Sequence, residues 1–105
     1  MMIKPWDVWY AAVRFEDSEQ VKSRPVVVTS SGIAFILAFK VTSHMPRNEW
    51  GEYALIEWQY AGLRKPSTVR IGKPLQLATS DMTRRLGSLH PLDVVNIQKI
   101  VAGQR

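Results

Sequence analysis

The chain has 105 residues, 46% hydrophobic and 22% charged, which is enough apolar material for one packed domain over residues 1–105 and too much for a disordered tail. Lys and Arg number 14 against 9 Asp and Glu; the net charge of +5 makes an acidic partner the first candidate, whether nucleic acid, an anionic surface or an acidic protein segment. The absence of cysteine excludes disulfides, thiolate zinc sites and cysteine nucleophiles. The N-terminal stretch Met1–Asp7 has no apolar signal core, and the longest apolar run, Ile33–Phe39, falls far short of the roughly 20 residues of a membrane helix. A soluble cytoplasmic protein without membrane association is expected.

The first element is a strand over Trp6–Phe15, rich in aromatic and β-branched residues. The polar stretch 16–20 is a loop. Pro25–Thr29 reads as a short buried strand through Val26-Val27-Val28, with the proline tolerated at its start. Ser30-Ser31-Gly32 turns the chain into a second apolar strand over Ile33–Thr42. A loop over His44–Gly51 precedes a strand over Tyr53–Trp58, and residues 61–66 turn again. Ser67–Ile71 and Leu75–Ala78 are two further strands, separated at Gly72 and Pro74. Ser80–Leu86 is expected to be a short helix stopped by Gly87. The last element is a stronger helix over Pro91–Val101. His90 is its N-cap, Pro91 sits at N1 where an N–H is not missed, and Asp93 at N3 suits the positive helix end. Leu89 and Val94 have staple spacing, and Val94, Ile97 and Val101 define one apolar face. Short strands followed by one helix point to a mainly β fold, a small bent barrel with a C-terminal helix packed on it.

Basic residues fall in two blocks. Lys22, Arg24, Lys40 and Arg47 form one with no acid between them, and Arg64, Lys65, Arg70, Lys73, Arg84 and Arg85 form another with Asp81. If the two blocks meet, they make a cationic groove. There is no metal motif around the two histidines, His44 and His90, no phosphate-cradling glycine loop and no serine nucleophile elbow. Two stretches carry chemistry. In Lys22-Ser23-Arg24-Pro25-Val26-Val27-Val28, an arginine sits at the mouth of an apolar strand, where its guanidinium can fork onto phosphate oxygens. In Phe39-Lys40-Val41-Thr42-Ser43-His44, a strand end offers two hydroxyls, an imidazole and an ammonium. Trp6, Trp9 and Trp58 read as core or interface residues. Trp50, in the polar loop Asn48-Glu49-Trp50-Gly51, is the odd one, suited to stacking a base or receiving a partner peptide.

In chain order, Asp7-Val8, the Arg24-Pro25-Val26-Val27-Val28 strand, the Thr42-Ser43 strand end, Gly62-Leu63, Ser67-Thr68-Val69-Arg70 and Arg84-Arg85-Leu86-Gly87 before a last helix resemble the MazF/PemK family of toxins from bacterial type II toxin–antitoxin systems. Trp6 stands where a glycine is common in that family. The resemblance implies an SH3-like β-barrel of the MazF/CcdB type with a C-terminal helix, and a homodimer. It also implies metal-independent endoribonuclease activity on single-stranded RNA, with no cofactor, and a cognate antitoxin with an acidic tail. DNA association would come only through the toxin–antitoxin complex. Arg24 takes the place of the family's catalytic arginine and Thr42 that of its catalytic hydroxyl, with Ser43 adjacent. His44 is expected, from its chemistry and position, to be an accessory acid or base. Lys22, Lys40, Arg47, Trp50, Arg64, Lys65, Arg70 and Arg84 are the expected nucleic-acid contacts. The alternatives are a non-catalytic toxin of the same fold that inhibits a protein such as DNA gyrase, or a plain nucleic-acid-binding module.

Overall fold

The computed structural model describes residues 2–14, 19–47 and 50–103. Its elements are β1 (Asp7–Arg14), β2 (Val21–Ser31), β3 (Ile36–Thr42), β4 (Glu52–Ala54), β5 (Thr68–Leu77), a 3₁₀ turn (Thr79–Asp81), β6 (Met82–Ser88) and α1 (Pro91–Val101). Every pairing is antiparallel, and the strand order is β4-β5-β3-β2-β1-β6. The expected architecture, mainly β with a C-terminal helix, is the one adopted. The sheet is open rather than a closed barrel: among the described residues no ladder joins its edge strands β4 and β6.

Both faces of the central strands are buried, which explains why Val26-Val27-Val28 is an unbroken apolar run. Successive side chains point to opposite faces. Val8, Val27, Phe39, Val41, Val69 and Ile71 build one core with Leu89 and Ile97, and α1 covers it. Trp9, Ala11, Val13, Val26, Val28, Ile36, Ala38, Leu77 and Met82 build a second core on the opposite face. Trp9 belongs to this second core, whereas Trp6 and Trp58 are half-buried against the first.

Four local expectations are corrected. Residues 82–88 are an edge strand, not part of a helix: Arg84 pairs with Tyr10 and Arg85 with Trp9 on β1, Thr83 Oγ1 donates to the Tyr10 carbonyl at 3.0 Å, and Met82 is buried in the second core. An available sheet edge overrides local helix propensity here. The strand at 53 stops at Ala54: the Leu55 amide still donates to the Ser67 carbonyl, but the Ile56 and Glu57 amides donate to the Asp93 carboxylate instead of to a neighbouring strand. The two strands expected around Gly72 and Pro74 are one element, β5, with a register shift at those residues. In α1 the inward face is Asp93, Val94, Ile97 and Ile100, while Val101 is exposed.

The start of α1 is as expected. His90 caps it, its Nδ1 accepting from the Leu92 amide at 3.0 Å, and Leu89 and Val94 both join the first core. Asp93 does more than meet a helix dipole. It is fully buried, and its carboxylate accepts from the Tyr53 hydroxyl at 2.5 Å, the Ile56 amide at 3.0 Å and the Glu57 amide at 2.9 Å. Asn96 Nδ2 donates to the Tyr53 oxygen at 2.9 Å. One carboxylate thus ties the helix to β4 and to the segment after it. Trp6 holds a φ of +71°, a region costly for a side-chain-bearing residue. The conformation is held by its amide donating to the Val28 carbonyl and its carbonyl accepting from the Leu89 amide.

Replacing the fully buried Asp93 with alanine leaves three part-buried donors without their acceptor, and a loss of about 3 kcal/mol is expected in urea unfolding. Burial and the hydrogen bond to Asp93 push the Tyr53 phenol up to about 12 from its ordinary 10. Because the folded value lies above the unfolded one, its stabilising contribution is complete below pH 10 and is lost as pH rises toward 12. The stability gap between wild type and Tyr53→Phe should therefore shrink between pH 10 and 12 in paired unfolding curves, and hold steady from pH 7 to 9.

Candidate nucleic-acid interface

The second core gives way to charge at one end of its sheet face. Along β3, Ile36 and Ala38 are buried in that core, and Lys40 and Thr42 follow on the same face. On β2, Val28 and Val26 are followed by Arg24. The β2–β3 ladder ends at Val26 and Lys40, and Arg24 and Thr42 lie two residues beyond that pair on their strands, both lining the same cleft. On the other side of β3, Lys40 pairs with Arg70 and Thr42 with Thr68. Arg70 reaches this face only because of the shift in β5. Phe39 pairs with Pro74 and the next residue, Lys40, pairs with Arg70, so Ile71-Gly72-Lys73 is extra chain. An odd insertion reverses the in–out alternation. Leu75 and Leu77 lie on the second-core side, and without the insertion Arg70 would point to the other.

These side chains enclose a cleft of about 650 Å³. Arg24, Lys40, Arg47, Arg64, Lys65 and Arg70 line it, together with Thr42, Ser43 and His44, and among the described residues no Asp or Glu lines it. The two basic blocks of the sequence therefore converge. Arg24 and Thr42 are half-buried, while Ser43 and His44 are exposed at the rim. The Arg24 Nη1–H donates to the Ser23 carbonyl at 3.1 Å. Thr68 Oγ1 donates to the His44 carbonyl at 2.5 Å and fixes the chain where it leaves β3. Glu52, the cross-strand neighbour of Arg70, sits beside the cleft rather than in it. Its Oε2 lies 3.3 Å from Arg70 Nε and its Oε1 accepts from the Arg47 amide at 2.7 Å. The contact with Arg70 is coulombic rather than a directed hydrogen bond, since Nε is buried without an aligned acceptor.

Of the residues expected to contact nucleic acid, three lie outside this cleft. Lys22 is exposed further along β2, opposite Val13. The Arg84 guanidinium lies 5.3 Å over the ring of Tyr10, itself a lining residue, so Arg84 flanks the cleft. Trp50 borders a second, smaller hollow that shares Arg70 with the main cleft. Tyr10, Ser23, Leu63 and Ser67 line the cleft and were not foreseen as site residues. Tyr10 reads in sequence as one more strand aromatic, and only its pairing with Pro25 and Arg84 places it here. Among the described residues no three His, Asp or Glu side chains gather as a metal-binding group. No helix among them is long and apolar enough to cross a membrane.

The fold is thus an antiparallel sheet with a C-terminal helix, and it carries a cationic cleft bearing an arginine and a threonine. Residues 4–103 match the family of PemK-like, MazF-like toxins of type II toxin–antitoxin systems, and the chain belongs to that family. A toxin of such a system has an antitoxin as its partner. Among solved structures, the Mycobacterium tuberculosis toxin MazF-mt6 is similar in fold, with a TM-score of 0.74 at 18% identity over 92% of this chain and 93% of that one. No curated protein sequence matches the chain.

Side-chain exposure is only 15% for Arg70 and 6% for Glu52, so removing the carboxylate leaves a largely desolvated guanidinium. Glu52→Ala should cost about 2–3 kcal/mol in chemical unfolding, several times the effect expected of an exposed ion pair.

Proposed function

We propose that this toxin is a metal-independent endoribonuclease that cuts single-stranded RNA in the cationic cleft. The observation that supports this reading is that Arg24 and Thr42 line one cleft together with five further basic side chains and, among the described residues, no acid. RNA carries its own nucleophile. The ribose 2′-OH attacks the adjacent phosphorus, the bond to the 5′-oxygen breaks, and the products are a 2′,3′-cyclic phosphate and a 5′-hydroxyl. The protein then has two tasks, stabilising the extra charge on the phosphorane and moving the proton. Arg24 clamps the non-bridging oxygens, and Thr42, with Ser43 beside it, orients the phosphate. His44 takes or returns a proton at the rim. Lys40, Arg47, Arg64, Lys65 and Arg70 hold the flanking phosphates. The toxin acts in the cytoplasm as a homodimer. Its antitoxin silences it by laying an acidic tail in the same cleft, and contact with DNA comes through that complex.

A pool of random-sequence fluorogenic RNA, incubated in EDTA, tests the reading. Wild type should cut it, leaving cyclic phosphate ends, and should leave the matching DNA pool intact because DNA lacks the nucleophile. Arg24→Ala should lower the rate about 100- to 1,000-fold, the usual effect of deleting one charge-stabilising donor. Thr42→Ala should lower it strongly and Thr42→Ser should restore much of it. Absence of cleavage in total cellular RNA by folded wild type, together with tight binding to a topoisomerase, would overturn the proposal in favour of a non-catalytic toxin. Salt-sensitive RNA binding without cleavage would overturn it in favour of a binding module.

A further inference from the structure

Trp50 is a large apolar side chain that the fold supports from beneath and leaves open above. It is 62% exposed. A Cβ placed on Gly72 would lie 3.6 and 3.7 Å from its Cε3 and Cζ3, so the benzo edge of the indole rests against a bare glycine backbone. The backbone beside it is held firmly. Gly51 has a φ of +87°, and its carbonyl accepts from the amides of both Ile71 and Gly72, at 2.5 and 3.2 Å. Any Cβ on Gly51 would run into the Gly72 nitrogen at 2.5 Å. The ring is thus clamped at its base by the extra residues of β5. The hollow beside it, about 110 Å³, is bordered by Arg70, Gly72 and Lys73, and Arg70 is also a wall of the main cleft. Glu52, the one acid among its described lining residues, is already engaged by Arg70 and the Arg47 amide.

We infer that Trp50, Gly72 and Lys73 form a nucleotide subsite next to the cleft, in which one base of a single-stranded RNA stacks on the indole and its phosphate contacts Lys73. The inference rests on the reading of the cleft as an RNA site. A strand leaving the cleft past Arg70 comes next to this ring. An open aromatic surface suits a flat base, which gains from stacking without being enclosed, whereas a peptide side chain gains most from enclosure that this hollow lacks. Stacking has no preference for one base edge, so the subsite adds affinity and extends the footprint without narrowing the recognised sequence.

The probe is a fluorescein-labelled, random-sequence 12-mer of 2′-O-methyl RNA, which cannot be cleaved, titrated by anisotropy from 50 to 300 mM salt. Trp50→Ala should weaken binding about tenfold with an unchanged salt slope, and Trp50→Phe should recover most of the loss. Lys73→Ala should reduce the slope by about 0.7, the value for one phosphate contact on a single strand. Indole fluorescence of wild type should fall on binding, and this quench should vanish in Trp50→Phe. If wild type binds, Arg24→Ala binds less and Trp50→Ala matches wild type, the subsite is wrong while the cleft stands. If wild type does not bind the oligonucleotide, the cleft reading fails and the subsite with it. If Trp50→Ala spares RNA binding but weakens an acidic 12-residue peptide, the ring is a partner-peptide shelf and the inference is overturned.

Discussion

The cleft depends on one irregularity of backbone pairing. Between β3 and β5 the register jumps, so that adjacent residues Phe39 and Lys40 face Pro74 and Arg70. Three surplus residues on β5 have to go somewhere. Ile71 turns into the first core, Gly72 supports Trp50, and Lys73 is exposed. The reversal of alternation carries Arg70 onto the face of Lys40 and Thr42, where Glu52 of the edge strand meets it. Glycine is needed at 51 because the bulge comes within van der Waals range of that backbone, leaving no space for a Cβ. A bulge beside a functional surface re-aims side chains that strict alternation would send elsewhere.

The opposite face depends on burying a carboxylate with all its partners. Asp93 lies at the first turn of α1, where the helix end favours a negative charge, and takes two backbone amides and a phenol from the chain around β4. Those amides would otherwise need a strand partner. The segment therefore leaves the sheet after Ala54 and coils through Ala61 and Gly62, whose amides bond to Glu57 and Gln59. It then reaches the cleft wall at Leu63, Arg64 and Lys65. The carboxylate that anchors the helix thus also sets the route by which two cations reach the cleft.

These two supports explain why the cleft can be cationic and still fold. Gathering six basic side chains in one concavity is repulsive. The sheet bears the cost because Arg70 is paired with a buried glutamate and because the long stems of Arg and Lys can lie along apolar walls such as Val41, Pro25 and Leu63. Any polyanion bound in the cleft would relieve the same repulsion and so stabilise the fold.

Much of this was legible from residue order. The aromatic and β-branched runs marked β1 to β3, and His90-Pro91 with Asp93 marked the start of α1, because caps and apolar runs act over a few residues. The chemistry of the stretches around Arg24 and Thr42 and the two basic blocks were visible in residue order, and the family resemblance suggested their roles, but whether the blocks meet was not. The sequence of Ser80–Leu86 suggests a helix rather than a strand because Thr83, Arg84 and Arg85 are all exposed on an edge strand and show no alternation. What makes them a strand is β1, more than 70 positions away. The turn after Ala54 likewise answers to a carboxylate 36 to 40 residues on. Residue order by itself determined the local elements and the kinds of chemistry available, since propensity, capping and charge belong to neighbouring residues. Only the tertiary structure decided which side chains share the cleft, because an odd register shift reverses a strand's faces and no local pattern records where its partner strand will place it.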